Sequence, residues 1–309
     1  KNIIINIKQF KQLQLYVYEN YFNELKNLYK KNKLPNKILL NGKKGIGKCT
    51  FANHFINFVL SNDEDNKYDD NNYIINSNNK SFKLVINKSS PNFFLIKQKE
   101  DKKNIEIDQI RELIDFCNKS SFNNKSRFII IDDIEYLNLN SSNALLKILE
   151  EPNNGIYFIL INNSSKILST IKSRCLTFNI SFNFETIKKI VSQITKLEIN
   201  ELISEDLICH YFTIGDYLSI FEFSKTNKLD LLNLSLKDFI KIIVEDKIYK
   251  KDKILNKLIY DFIELYYLKK EPSEQNYLNF DDHIRSVNNM SKFNLDTESI
   301  FLRLHQNLN

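Results

Sequence analysis

Along the first 180 residues, short uninterrupted apolar runs alternate with stretches in which apolar positions return every three or four residues; beyond that point only the second pattern remains. The runs Ile38 to Leu40, Arg127 to Ile131 and Ile156 to Ile161 read as strands, their continuous apolar character suiting parallel strands covered on both faces. Between them, Phe51, Ala52, Phe55, Ile56 and Val59 share one helical face, as do Ile105, Ile107, Ile110, Leu113, Ile114 and Cys117. Ser142 to Glu151 reads as a further helix, stopped by Pro152, which lacks an N–H and clashes with the preceding turn. Phe82 to Ile86 and Phe93 to Ile96 are two more short apolar runs, the second introduced by Pro91-Asn92. The alternation predicts an α/β domain built on a parallel sheet. Two polar stretches interrupt it: Asn118 to Ser126 reads as a loop, and Ser61 to Lys80, rich in Asn and Asp, as an exposed and mobile insertion.

From residue 181 onward every element reads as helical. Phe184 to Leu197, Glu205 to Tyr211 and Tyr217 to Lys225 are expected to form a small bundle. Ser235 is a suitable N-cap for a helix over Leu236 to Val244, and Ile254, Leu258, Ile259, Phe262, Ile263 and Tyr266 stripe one face of a long helix. Glu271-Pro272-Ser273 breaks the chain, and a last helix opens near Asp296 or Thr297, carrying Ile300, Phe301 and Leu304.

Candidate chemistry gathers where the strands end. Of the five glycines in the chain, Gly42, Gly45 and Gly47 fall in Lys37-Ile-Leu-Leu-Asn-Gly-Lys-Lys-Gly-Ile-Gly-Lys-Cys-Thr50, between the first strand and the helix that opens at Lys48. Glycine lets such a loop turn its N–H groups inward around a polyphosphate, while the helix N-terminus and the Lys48 ammonium supply positive charge. Gly42, Lys43, Lys44, Gly45, Ile46, Gly47, Lys48, Cys49 and Thr50 are therefore the candidate phosphate cradle; an ordinary strand-to-helix turn needs one glycine, not three and a lysine. The run Arg127 to Ile131 continues into Asp132-Asp133. Beside a phosphate loop, Asp132 is placed to hold magnesium, directly or through water, and Asp133 to polarise an attacking water. In isolation the same pair would read as a polar turn. The strand over Ile156 to Ile161 ends at Asn162-Asn163, which makes Asn162 a candidate contact to a γ-phosphate or the attacking water. Ser169-Thr-Ile-Lys-Ser-Arg-Cys175 presents Arg174, one of five arginines. A planar, permanently charged fork suits a phosphate contact; a structural ion pair or a helix end is the other reading.

Composition narrows the classes. Lysine, asparagine and isoleucine dominate, a bias that looks like AT-rich coding, so the net charge of +6 says little about nucleic acid. No apolar run approaches the ~20 residues of a membrane span. The first residues lack the charged, apolar and small-residue pattern of a signal peptide, and a soluble cytoplasmic protein without membrane contact is expected. Cys49, Cys117, Cys175 and Cys209 form no C-x-x-C pair and the four histidines are scattered, so neither a zinc site nor a disulfide framework is expected.

Gly-Lys-Lys-Gly-Ile-Gly-Lys-Cys-Thr, Ile-Ile-Ile-Asp-Asp-Ile-Glu-Tyr-Leu-Asn, Asn-Ala-Leu-Leu-Lys-Ile-Leu-Glu-Glu-Pro and Ile-Lys-Ser-Arg-Cys together closely resemble bacterial clamp-loader subunits of the AAA+ superfamily. Ser90-Pro-Asn-Phe-Phe and Ile107-Asp-Gln-Ile-Arg-Glu-Leu113 also resemble the first domain of that family. The matching motifs cover most of residues 1–180; beyond them the resemblance is architectural. It implies an α/β P-loop AAA+ domain over 1–180, a small helical lid over 181–227 and a C-terminal helical collar, or oligomerisation, domain over 228–309. It implies ATP or ADP as the bound cofactor. As partners it implies motor (gamma/tau) and delta subunits in a five-subunit ring, which opens a sliding clamp and places it on primer-template DNA. In that family the Ser-Arg-Cys arginine reaches the ATP of a neighbouring motor subunit, so Arg174 is implied to be an arginine finger acting in trans, a device worth ~10³ to 10⁵ in rate.

Several positions depart from the motor pattern. Cys49 stands where a Ser or Thr hydroxyl binds magnesium, and a thiol is a poor ligand for that hard cation; Thr50 follows one position late. Asp133 replaces a glutamate and falls one methylene short. Thr213-Ile-Gly-Asp-Tyr217 lacks the arginine that senses nucleotide in related motors, and the zinc module of many loader subunits is absent from the sequence. Each departure weakens hydrolysis more than binding, so weak or absent turnover and weak magnesium binding are expected. Two other functions compete: a motor ATPase, either of the loader or of a related AAA+ remodeler, and a small-molecule kinase built on the same loop. The helix-rich second half and Ser-Arg-Cys argue against the kinase.

Overall fold

A computed structural model describes residues 12–99, 102–119, 123–150, 154–164, 168–251, 253–293, Glu298 and Phe301. By its backbone contacts the chain divides into two compact units, residues 1–190 with 213–215, and residues 191–212 with 216–309.

The first unit is an α/β layer structure. Its described elements are α1 (Glu19–Lys30), β1 (Lys37–Asn41), α2 (Lys48–Leu60), α3 (Lys80–Ile86), β2 (Phe93–Ile96), α4 (Ile107–Asn118), β3 (Arg127–Ile131), α5 (Leu139–Glu150), β4 (Ile156–Asn162), α6 (Ser169–Lys172), β5 (Leu176–Asn179) and most of α7 (Phe184–Thr195). The five strands form one parallel sheet in the order β2-β3-β4-β1-β5. Alternate residues feed two cores. Ile38 and Leu40, Phe128 and Ile130, Ile159 and Ile161 face the layer of Phe22, Phe51 and Phe55. Leu39, Ile129, Ile131 and Leu160 face that of Ile110, Leu113, Leu145 and Leu149. Burial on both faces is why these strands read as continuous apolar runs rather than alternating ones. The order also sets the site: β4, ending in Asn162, lies between β1, which feeds the glycine loop, and β3, which feeds the acidic pair.

The second unit contains the rest of α8 (Ile214–Asn227), then α9 (Leu236–Glu245), α10 (Ile248–Lys251), α11 (Lys253–Lys269) and α12 (Glu274–Phe293). Its core combines aliphatic residues such as Ile240, Ile243, Leu258 and Ile259 with an aromatic cluster in which the Phe262 ring lies 4.9 Å from both Phe212 and Phe239, edge to face. The Ser235 hydroxyl accepts from the Asp238 N–H at 3.1 Å, capping α9 as expected. Among the described residues no helix is long and apolar enough to cross a membrane.

The polar stretch 61–80 is exposed over most of its length, as expected, but it is anchored at a few buried positions. Tyr68, Ile75 and Asn79 are buried in it, at 3%, 1% and 0% exposure. Ile75 N–H donates to the Leu13 carbonyl at 2.8 Å, and Leu15 N–H to the Tyr73 carbonyl at 3.0 Å. Asn79 can be buried because it is paired, its amide and that of Asn57 bonding each other; nearer the surface, the Asp69 carboxylate accepts from the Asn71 and Asn72 N–H groups. Elsewhere, α5 opens earlier than expected, at Leu139, and Glu205 to Tyr211 yields only a short 3-10 turn over Glu205–Leu207. Helix α12 lacks a strong apolar stripe, with Tyr277 and Leu278 exposed; its start is capped by the Ser273 hydroxyl, which accepts from the Asn276 N–H. Pro152, the opening of a last helix near Asp296 or Thr297, Ile300, Leu304 and the side chain of Ile254 lie outside the described residues; Phe301 is buried against Tyr249 and Tyr260.

Candidate phosphate site and the exposed arginine

The glycine loop is held from behind by aromatic packing. Ile46 is buried, its carbonyl accepts from the Tyr18 hydroxyl at 3.0 Å, and the Tyr18 ring stacks on Phe51 of α2 at 4.9 Å. Gly45 and Gly47 take φ of +88° and +96°, which side-chain-bearing residues rarely adopt. Gly45 also meets the start of α8: its carbonyl accepts from the Gly215 N–H at 2.9 Å, and a Cβ at Gly45 would stand 2.3 Å from Thr213 Oγ1. A glycine is thus needed there twice over, for conformation and for space.

Inside the loop, Lys48 Nζ donates to the carbonyls of Gly42 and Lys43 at 2.8 and 2.6 Å. Burial pulls its pKa down to about 8 against the pull of Asp132, Glu135 and Asp133. Cys49 is buried at the first turn of α2. Burial, then the nearby Asp132 and Asp133 carboxylates, push its thiol well above its ordinary value, so it stays protonated. Thr50, next along, is half-buried.

At the end of β3, Asp132 is half-buried, and burial together with Asp133 raises its pKa to about 6. Asp133 adopts a left-handed φ of 59°, and its carboxylate accepts from Lys44 Nζ at 2.9 Å and from Asn163 Nδ2 at 2.7 Å. Burial opposes the Lys44 charge, but the bond to Asp133 and the surrounding carboxylates outweigh it and raise the Lys44 pKa. The Asn163 N–H also donates to Glu135 at 3.2 Å. Asn163, not Asn162, is the residue that reaches the acidic pair. Asn162 is fully buried, and its amide donates to Asn41 Oδ1 at 2.9 Å; Asn41 in turn donates to Asn179 Oδ1 at 2.8 Å, a ladder across β4, β1 and β5. Sequence reasoning passed over Asn163, Lys44 as a partner of Asp133, and Glu135. The two adjacent asparagines were visible, but choosing between them requires the register of β4 on β1.

The donor set can be tested against the groups that the loop suggests. Left-handed glycines, a helix N-terminus, Lys43, Lys44 and Lys48 fit a polyphosphate, and the residues from Gly42 to Cys49 would hold it. Magnesium fits poorly: a buried thiol stands at the hydroxyl position, and Asp133 is already engaged by Lys44.

Arg174 lies apart from that pocket's residues, between α6 and β5. Its Nη1 donates to the Thr170 carbonyl and its Nη2 to Glu150 Oε1, each at 2.9 Å, and the side chain remains 34% exposed. Leu168 and Leu176, on either side of it in the chain, are exposed apolar residues. The ion-pair reading of Arg174 is therefore present in the structure, at the surface rather than in the core.

A parallel sheet with a glycine loop after one strand and an acidic pair two strands away defines an AAA+-type P-loop fold. The family described as DNA polymerase III, delta subunit, matches residues 17–184, and the chain belongs to that family. Over 98 residues it is 35% identical to DNA polymerase III subunit delta' of Pseudomonas aeruginosa, covering 31% of this chain and 30% of that protein. Over 219 residues it is 28% identical to DNA polymerase III subunit gamma of Buchnera aphidicola subsp. Acyrthosiphon pisum, covering 65% of this chain and 59% of that one. The chain thus spans less than a third of the length of the delta' relative and less than two thirds of the gamma relative. Among solved structures, a DNA polymerase III gamma subunit-related protein from Thermotoga maritima aligns with a TM-score of 0.51 at 17% identity, over 92% of this chain and 99% of that one, which speaks to the fold alone.

Proposed function

We propose that this chain is a delta-prime-type subunit of a bacterial DNA polymerase III clamp loader. It takes its place in a five-subunit ring beside motor (gamma/tau) and delta subunits, and assists ATP-dependent loading of the sliding clamp onto primer-template DNA in the cytoplasm. It belongs to the polymerase holoenzyme without being the polymerase. Arg174 serves as an arginine finger for the ATP of a neighbouring motor subunit, while the chain's own loop holds ATP or ADP with weak or absent turnover. Supporting the finger are its exposure and its placement between exposed apolar residues.

The gamma subunits among the relatives, with the longer alignment, favour a second reading, an active motor ATPase. Supporting the first reading is the buried Cys49 thiol beside Asp132, where a metal-binding hydroxyl would be required. Hydrolysis by the purified chain, alone and in a complex assembled with loader partners, tests the choice. The expected result is nucleotide binding and a stable complex with little turnover by the isolated chain; magnesium-dependent turnover at motor rates by the isolated chain, undiminished by Arg174→Ala, would overturn it.

A further inference from the structure

The geometry points to Glu150 as a positioning residue for Arg174, an inference that rests on the reading of Arg174 as a finger for a neighbour's phosphates. Glu150 is the last residue of α5, and that end of the helix is fixed. Leu149 is fully buried, and its carbonyl accepts from Lys37 Nζ, at the start of β1, at 2.9 Å. The backbone beneath Arg174 is fixed as well: its N–H donates to the Ile171 carbonyl at 3.1 Å, and Ile171 is buried. From these two anchored points the guanidinium is held at two corners, Nη1 on the Thr170 carbonyl and Nη2 on Glu150 Oε1.

A single bond to a long, rotatable side chain would leave its plane free to swing; two bonds to different elements set that plane. A guanidinium carries five N–H donors, and these contacts engage two, so three are left for phosphate oxygens without displacing Glu150. An ion pair this exposed contributes little to folding. Its consequence is therefore geometric: it orders the finger before the phosphate arrives, so that the ordering does not have to be completed in the transition state.

The test uses a loader reconstituted around the full chain, with partner subunits, sliding clamp and primed DNA, and reads ATP hydrolysis with Arg174→Ala, Glu150→Ala and Glu150→Gln. Glu150→Ala is expected to lower kcat about tenfold with KM changed by less than about twofold, as loss of orientation does, and to leave complex assembly and the Tm of the chain intact. Glu150→Gln, whose amide oxygen still accepts from Nη2, is expected to retain most of the rate. If Arg174→Ala slows hydrolysis while Glu150→Ala matches or exceeds wild type, the positioning role falls and the finger stands. A Glu150→Gln protein as slow as Glu150→Ala would assign the effect to charge and also overturn the positioning role. No effect of Arg174→Ala would remove the finger itself, and this inference with it.

Discussion

Replacing Asp132 by Asn removes a charge and keeps the shape, including an oxygen that still accepts from the Asp133 N–H at 3.0 Å. In the folded chain, burial and the adjacent Asp133 carboxylate lift the Asp132 pKa from 3.8 to about 6. A carboxyl raised in this way binds its proton more tightly in the native state than in the unfolded chain. It therefore stabilises the fold below about pH 4, and that contribution is lost as the pH rises through about 6. At about 1.4 kcal/mol for each tenfold change in proton affinity, the ceiling is about 3 kcal/mol. The side chain is only half-buried and shares its surroundings with Asn163 and two lysines, so about 1–2 kcal/mol is expected after screening. Asp132→Asn should thus match wild type near pH 4 and exceed it by that amount at pH 8. Buried His54, pushed down to about 4, weakens the fold as pH falls from 6.5 towards 4, but it does so in both proteins and cancels in the difference. Urea denaturation of the pair in EDTA, at intervals between these limits, reads the effect directly. A variant no more stable than wild type at pH 8, or a gain independent of pH, would show that Asp132 carries no such penalty in the fold.

Other perturbations follow from the packing. Gly45→Ala meets both a φ of +88° and Thr213 Oγ1 at 2.3 Å, so a loss of about 2–4 kcal/mol in chemical denaturation is expected, together with weaker binding of a fluorescent ADP analogue; unchanged stability would mean that the loop relaxes. Glu64 accepts from the Lys80 and Ser81 N–H groups at 2.8 and 3.1 Å and tethers the opening of α3. Glu64→Ala should cost about 1–2 kcal/mol and speed amide exchange at Lys80 and Ser81, and unaltered protection there would count against it. Arg127 donates to the carbonyls of Phe116, Lys119 and Cys117 at the end of α4, at 2.9, 2.8 and 3.2 Å. Arg127→Met leaves them without that donor and should lower stability by about 2–3 kcal/mol, as measured by thermal unfolding.

Much of the first unit was legible because its three central strands, β1, β3 and β4, are buried on both faces; β5, mostly unburied, had no such signal. Runs such as Ile129 to Ile131 have no other reading beside a glycine loop, and Ser235 announced α9 through its cap. In the stretch 61–80 polarity did mark exposure over most positions, but it hid the buried anchors. What buries Asn79 is an amide pair with Asn57, twenty-two residues earlier, and no local pattern encodes such a pairing. Helix α12 was missed for the opposite reason: its exposed Tyr277 and Leu278 blur the stripe by which a helix is recognised. At the site, residue types were readable while partners were not. Lys44 and Asp133 lie 89 positions apart and meet because the loops that follow β1 and β3 close over the end of β4 between them, and which of Asn162 and Asn163 reaches the acidic pair depends on strand register. Cys49 stood out in the sequence, and its burial beside Asp132 adds the electrostatic reason that it is a poor metal ligand.

If this chain contributes a guanidinium to a neighbour's ATP, with weak or absent turnover in its own cradle, the decisive assay is clamp- and DNA-stimulated ATPase of a reconstituted loader carrying Arg174→Ala, alongside a sizing experiment on the same preparation. An intact complex with hydrolysis reduced at least about tenfold is the expected result; an intact complex that hydrolyses ATP at the wild-type rate would rule the finger out.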